Sequence, residues 1–286
     1  MSNRTKLFAI AGMLIVLTVS ACHEGEGPTA KKENVPATDE EKRAQGDAIL
    51  NQMSEKLKSA QAATFSTTES IDRVKGNNEK VHINLERQLA VRQPDKMWFK
   101  ATGDRDLECF YDGKMLTLVS HKEKVFGEVP APPTLHETAE MITDKYGISL
   151  PISDLLTADP QKALKDEETT GGWNRRETLN GVVCNVLSYQ HPAVDFSLWV
   201  PVSGDPLPQK LEITYKARRG QPSTTVTFKG WNLAPQLSDE TFARKVPDDY
   251  EGIAVIQRES AVIPPEEAQQ QEPPPAAKEP AKPKSK

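Results

Sequence analysis

The sequence predicts an α+β fold that is mainly antiparallel β, with roughly eleven strands in one curled sheet and helices against its concave side. Three observations carry that expectation. Between Asn180 and Trp231 four runs rich in β-branched and aromatic residues, VVCNVLSYQ, VDFSLWV, QKLEITYKA and TTVTFKGWN, alternate with breaks holding Pro, Gly, Asp or Ser. The breaks are too short for crossover helices, so these runs must pair as antiparallel neighbours. The overall order of patterns is helix, strands, helices, strands. That many strands exceeds what a flat, strongly twisted sheet holds, and a few helices could plug the hollow of a curled sheet but not cover a flat one.

In chain order, Thr38 and Glu41 fit a capping box, and Ile49, Met53, Leu57 and Ala60 recur at helical spacing to about Ala62. The period then changes to two. Strands are expected over 64–74, 80–91, 96–102, 107–111, 114–120 and 125–129, separated by turns such as Lys75-Gly76-Asn77-Asn78 and Asp112-Gly113. In the second of these, Val81, Ile83, Leu85, Leu89 and Val91 share a face that Arg87 interrupts. Pro130-Ala131-Pro132-Pro133 stops the meander. A helical insert follows: Thr134 with Glu137 makes a second capping box, Leu135, Ala139, Ile142 and Tyr146 form one stripe, and Gly147 suits a C-terminal cap. Asp159-Pro160 opens another short helix. The strand 172–179 leads through Asn180-Gly181, a strong hairpin signal, into the four runs above.

The ends differ in composition from this middle. Arg4 and Lys6 precede the uncharged apolar run Leu7–Val19, which is short for a membrane span and suits a signal peptide. Val19-Ser20-Ala21-Cys22 resembles a bacterial lipobox, which implies a lipoprotein signal peptide at 1–21 and lipidation of Cys22. His23, standing where an inner-membrane retention signal would have Asp, implies the outer membrane facing the periplasm. Residues 22–38 are expected to be a flexible tether, 39–258 the folded domain, and 259–286 a disordered tail rich in Pro, Glu and Lys.

The chain has 286 residues, and its net charge of −5 argues against nucleic acid as a partner. Its five histidines are scattered without metal-ligand spacing, and there is no nucleophile elbow or phosphate loop, so no enzyme, cofactor or metal is expected. Asp104, Asp106 and Asp112 sit where hairpin turns use Asp anyway. The expected binding wall is the alternating row Leu211, Ile213 and Tyr215, with Val226 and Phe228 on the next strand and Phe196 and Leu198 on the previous one. A filled core would show the same pattern. Trp98, Trp173, Trp199 and Trp231 could line such a cavity or simply pack the strands. Cys109 and Cys184 are expected to be free thiols, because in a sequential meander several strands at about 4.8 Å each separate them.

Several pieces taken in order resemble a known family. They are the helix with Leu50 and Met53, Arg92-Gln93-Pro94-Asp95, Phe110-Tyr111-Asp112-Gly113-Lys114, Leu150-Pro151-Ile152-Ser153-Asp154-Leu155, Gly181-Val182-Val183-Cys184, Asp195-Phe196-Ser197-Leu198-Trp199-Val200, Pro206-Leu207-Pro208 and Trp231-Asn232. Over 39–258 the chain resembles a family of predicted periplasmic proteins of unknown function, similar in fold to LolA and LolB: a half-open β-barrel under a helical lid. One departure is Val186, two residues after Cys184, where the family pattern has His. The resemblance implies an apolar ligand or partner. The function expected is a membrane-anchored envelope lipoprotein that binds or carries a lipid. The alternative is an interaction or sensor module of the envelope with a closed core and a protein partner.

Overall fold

The computed structural model describes residue 36, residues 38–146 and residues 150–255. The expectations for the signal peptide, Cys22, the tether up to Val35, Gly147 and the tail beyond Val255 lie outside them.

Helix α1 (Asp39–Lys58) starts at the expected capping box, in which Thr38 and Glu41 satisfy each other's backbone N–H. It ends at Lys58 rather than near Ala62, because Ala62 already belongs to a strand. Six antiparallel strands follow: β1 (Ala62–Val74), β2 (Lys80–Arg92), β3 (Lys96–Gly103), β4 (Leu107–Tyr111), β5 (Met115–Ser120) and β6 (Val125–Pro130). Then come helix α2 (Leu135–Tyr146), the 3-10 turn η1 (Ser153–Leu156) and α3 (Pro160–Leu164). Asp159 caps α3 by accepting the Lys162 N–H, with Pro160 in the first turn. The second strand group is β7 (Thr170–Leu179), β8 (Val182–Gln190), β9 (Val194–Pro201), β10 (Lys210–Tyr215) and β11 (Ser223–Asn232). Asn180 and Gly181 join β7 to β8 with φ of 50° and 82°, the left-handed pair that a two-residue hairpin loop needs. A twelfth strand, β12 (Glu251–Gly252), was not expected from sequence, being two residues long and without an alternating pattern.

All twelve form one open sheet in the order β12-β6-β5-β4-β3-β2-β1-β11-β10-β9-β8-β7. It is not the sequential meander read from sequence. The first group runs from β1 to one edge, the second from β11 to the other, and they meet where β1 pairs with β11. β6 and β7 are therefore near opposite edges, and the helical segment between them is the connection that crosses the sheet. This strand order requires a long connection between β6 and β7. Side chains from the inner faces of β1–β5 and β8–β11 join Leu50 and Met53 of α1, Leu135, Ala139 and Ile142 of α2, and Leu155 and Leu156 of η1 in one core.

On the opposite, convex face, residues after β11 form a strap. Arg92 hydrogen-bonds the Leu237 carbonyl and pairs with Asp239, and its guanidinium lies over the Phe242 ring. Phe242 is buried. Lys124 pairs with Asp249, and His121 meets the Tyr250 hydroxyl at 3.0 Å before β12 docks parallel to β6.

Candidate functional site

The seven expected wall residues come together on the concave side. Phe196 faces Ile213, Leu198 faces Leu211, and Leu211 faces Val226 across adjacent strands. Phe228 continues the row opposite Thr67 of β1. Phe196, Leu198, Leu211, Ile213, Val226 and Phe228 are buried, and Tyr215 is half-buried at the end of the row. Of the tryptophans, Trp173 and Trp231 pack into this interior, Trp231 stacking on Phe65 at 4.1 Å. Trp199 instead packs with Cys184 and Val186 in a separate cluster, and Trp98 donates to Glu108.

Helix side chains fill the space above the wall. A cavity of about 20 Å³, room for about one water, lies between the end of α1, η1 and Trp231. Another, of about 120 Å³, lies between the sheet and the strap, lined by Phe110, Phe242 and Arg244. Neither is lined by any of the seven wall residues.

The lid is held unevenly. At Gly46 of α1 a Cβ would stand 2.5 Å from the Gly172 Cα, so the helix backbone lies directly on β7. α2 and η1 are attached differently. The backbone bond from the Leu135 N–H to the Pro94 carbonyl, at 2.9 Å, and that from the Thr138 hydroxyl to the Pro132 carbonyl, at 3.2 Å, tie the start of α2 to loops. The Gln93 side-chain amide donates to the Leu156 carbonyl of η1 at 3.2 Å, and apolar side chains of both α2 and η1 join the core.

One charged cluster interrupts the apolar interior, and sequence reading missed its meaning. Arg87 is 3% exposed between Leu85 and Leu89 on the concave face of β2. Its Nη2 lies 3.3 Å from Oε2 of Glu69, which is 1% exposed on β1 directly opposite Val226. The Thr67 hydroxyl donates to Glu69 Oε1 at 2.6 Å, and the Phe99 ring lies under the guanidinium at 5.0 Å. Glu69 Oε2, Arg87 Nε and Arg87 Nη1 make no hydrogen bond among the described residues. Each such buried group costs about 1–3 kcal/mol if left unsatisfied. Burial pulls the guanidinium below its ordinary pKa, and Glu69 and Cys109 partly offset this. The legible signal was a charge at an inward-facing strand position, matched by an acid at an inward position of the neighbouring strand.

Of the remaining polar candidates, two aspartates serve turns, and Asp166, Glu168 and His191 bring ligand atoms within 4.8 Å of one another, close enough to hold a metal ion. Asp112 accepts the backbone N–H groups of Lys114 and Met115, and Asp104 accepts that of Asn84, so both serve turns. His191 Nε2 comes within 3.3 Å of Asp166 and 3.5 Å of Glu168 at an exposed rim, with the Asp166 carboxylate also held by the Thr169 hydroxyl. Cys109 and Cys184 are free and buried, seven places apart in the strand order, and burial pushes both thiols up in pKa.

The family model described as "Predicted periplasmic protein (DUF2092)" matches residues 46–256. The chain belongs to this family. The match takes in the whole sheet, so both the apolar wall and the Glu69–Arg87 pair lie inside the DUF2092 region. No curated protein matches this DUF2092 chain in sequence. Among solved structures it is similar to LprF from Mycobacterium bovis, with 12% identity over 72% of this chain and 98% of that one and a TM-score of 0.44. It is also similar to the lipoprotein LppX of Mycobacterium tuberculosis, with 11% identity over 67% and 97% and a TM-score of 0.39. A LolA superfamily protein from Nitrosomonas europaea shows 11% identity over 70% and 98%, with a TM-score of 0.38.

Proposed function

We propose that this chain is an envelope lipoprotein, anchored by lipid on Cys22 and facing the periplasm from the outer membrane, that takes an apolar chain between its sheet and its helices. The observation that supports it is the wall itself: seven apolar residues in register on three adjacent strands, covered by a segment held mainly by apolar side chains. With the interior filled, binding requires α2 and η1 to lift while α1 stays on β7. The exposed wall residues then trade helix side chains for an acyl chain, and little apolar area is left in water in either state. The test is titration of a fluorescent fatty acid into the full chain carrying Cys22→Ser. Saturable uptake, lost when a disulfide staples α2 to β2, supports the carrier. Absence of uptake favours the second reading, a closed interaction module, which the packed interior also suits.

A further inference from the structure

We propose that Glu69 and Arg87 form a head-group site on the concave wall, selecting amphiphiles whose head is neutral and both donates and accepts hydrogen bonds, such as a primary amide. This rests on the carrier reading above and names the ligand class. The geometry is specific. Arg87 offers Nε and Nη1 as donors, and Glu69 offers Oε2 as an acceptor, all buried and without hydrogen bonds to any described residue. They adjoin the apolar row at Val226 and Phe228, which face Glu69 and Thr67 across the β1–β11 pairing. A chain lying along the row would therefore bring its head to the pair. The pair is already neutral as a unit. An anionic head would add an uncompensated charge beside the Glu69 carboxylate in a low-dielectric interior, and a cationic head would do so beside Arg87. An amide adds none: its carbonyl accepts from Arg87 and its N–H donates to Glu69. The Phe99 ring packs against the guanidinium, its centroid 5.0 Å from the guanidinium carbon, while Nε and Nη1, on different edges, each keep an N–H for a ligand carbonyl.

The experiment is displacement of N-phenyl-1-naphthylamine from the full chain carrying Cys22→Ser, using dodecanamide, methyl dodecanoate and sodium dodecanoate. The amide should displace the dye at least about tenfold more effectively than the carboxylate, with the acceptor-only ester between them, as expected for two hydrogen bonds gained. Because a single change leaves a buried lone charge, the informative variant is Glu69→Leu with Arg87→Met, which exchanges the pair for apolar groups of similar volume. It should keep dye binding and lose the order amide, ester, carboxylate. Dye binding without head-group preference in the wild type, or the same preference in the double variant, overturns the head-group site and leaves the carrier standing. Absence of dye binding in the wild type overturns both.

Discussion

Phe228 measures how full the interior is. Phe228 is 3% exposed, its ring stacked 5.5 Å from Trp231 and tilted against Phe65 at 6.1 Å. An open cavity would have made its truncation mild, because the void would already exist. Packed as it is, Phe228→Ala should cost about 3–5 kcal/mol in urea unfolding, from lost burial plus a new void. A loss near 1 kcal/mol would instead show that the neighbours collapse or that the wall already borders free space. Asp72 reports on the other end of β1. Burial alone would raise its pKa, but the Ser223 N–H and hydroxyl, at 3.0 and 2.9 Å, with His82 and Lys80 beside it, outweigh burial and lower it. A carboxylate with a depressed folded pKa contributes stability above its unfolded value of about 3.9, and that stability is lost as pH falls through the folded value. The urea midpoint should therefore fall as pH drops below about 4. Asp72→Asn should lower the midpoint at neutral pH and flatten this acid dependence; an unchanged acid slope would remove Asp72 from the account.

At the scale of elements, the contact between α1 and β7 makes a prediction whose sign runs against helix propensity. In an ordinary exposed helix, Gly→Ala gains about 1 kcal/mol. At Gly46 the new methyl would stand 2.5 Å from the Gly172 backbone, and Gly172 in turn has no room for a Cβ against the Lys42 carbonyl at 2.4 Å. Gly46→Ala should therefore destabilise by about 1–3 kcal/mol, the usual cost of overpacking, measured by urea or thermal unfolding. A stabilised variant would mean that α1 is free to ride higher on the sheet. This contact was not legible in the sequence, where Gly46 breaks no pattern and Gly172 reads as a strand start. The strands were legible because tight turns and alternating faces are local signals. Strand order was not, because nothing local tells β11 to pair with β1 rather than extend the meander. The same gap hid the lid's role as a crossover and the strap around Phe242. For the candidate site, the seven wall residues were readable from alternation, since register carries alternation across neighbouring strands. Arg87 was read as an interruption because its partner Glu69 lies on another strand, and only the β1–β2 pairing brings them together.

For the whole molecule, the prediction concerns the proposed membrane anchor. No helix among the described residues is long and apolar enough to cross one. The sequence offers Cys22 instead, after the apolar run Leu7–Val19 and a small-residue junction. One acyl chain gives marginal, reversible attachment, each buried methylene contributing about 0.8 kcal/mol, whereas several chains on one cysteine give durable anchoring. A Cys22→Ser chain should therefore lose metabolic palmitate labelling and leave the membrane fraction, or accumulate as unprocessed precursor, while its urea midpoint stays that of the wild-type domain. The unchanged midpoint matters, because it separates loss of the anchor from loss of the fold. Palmitate labelling that persists in the variant would mean that the lipid sits elsewhere, and the signal-peptide reading of residues 1–21 would fall with it.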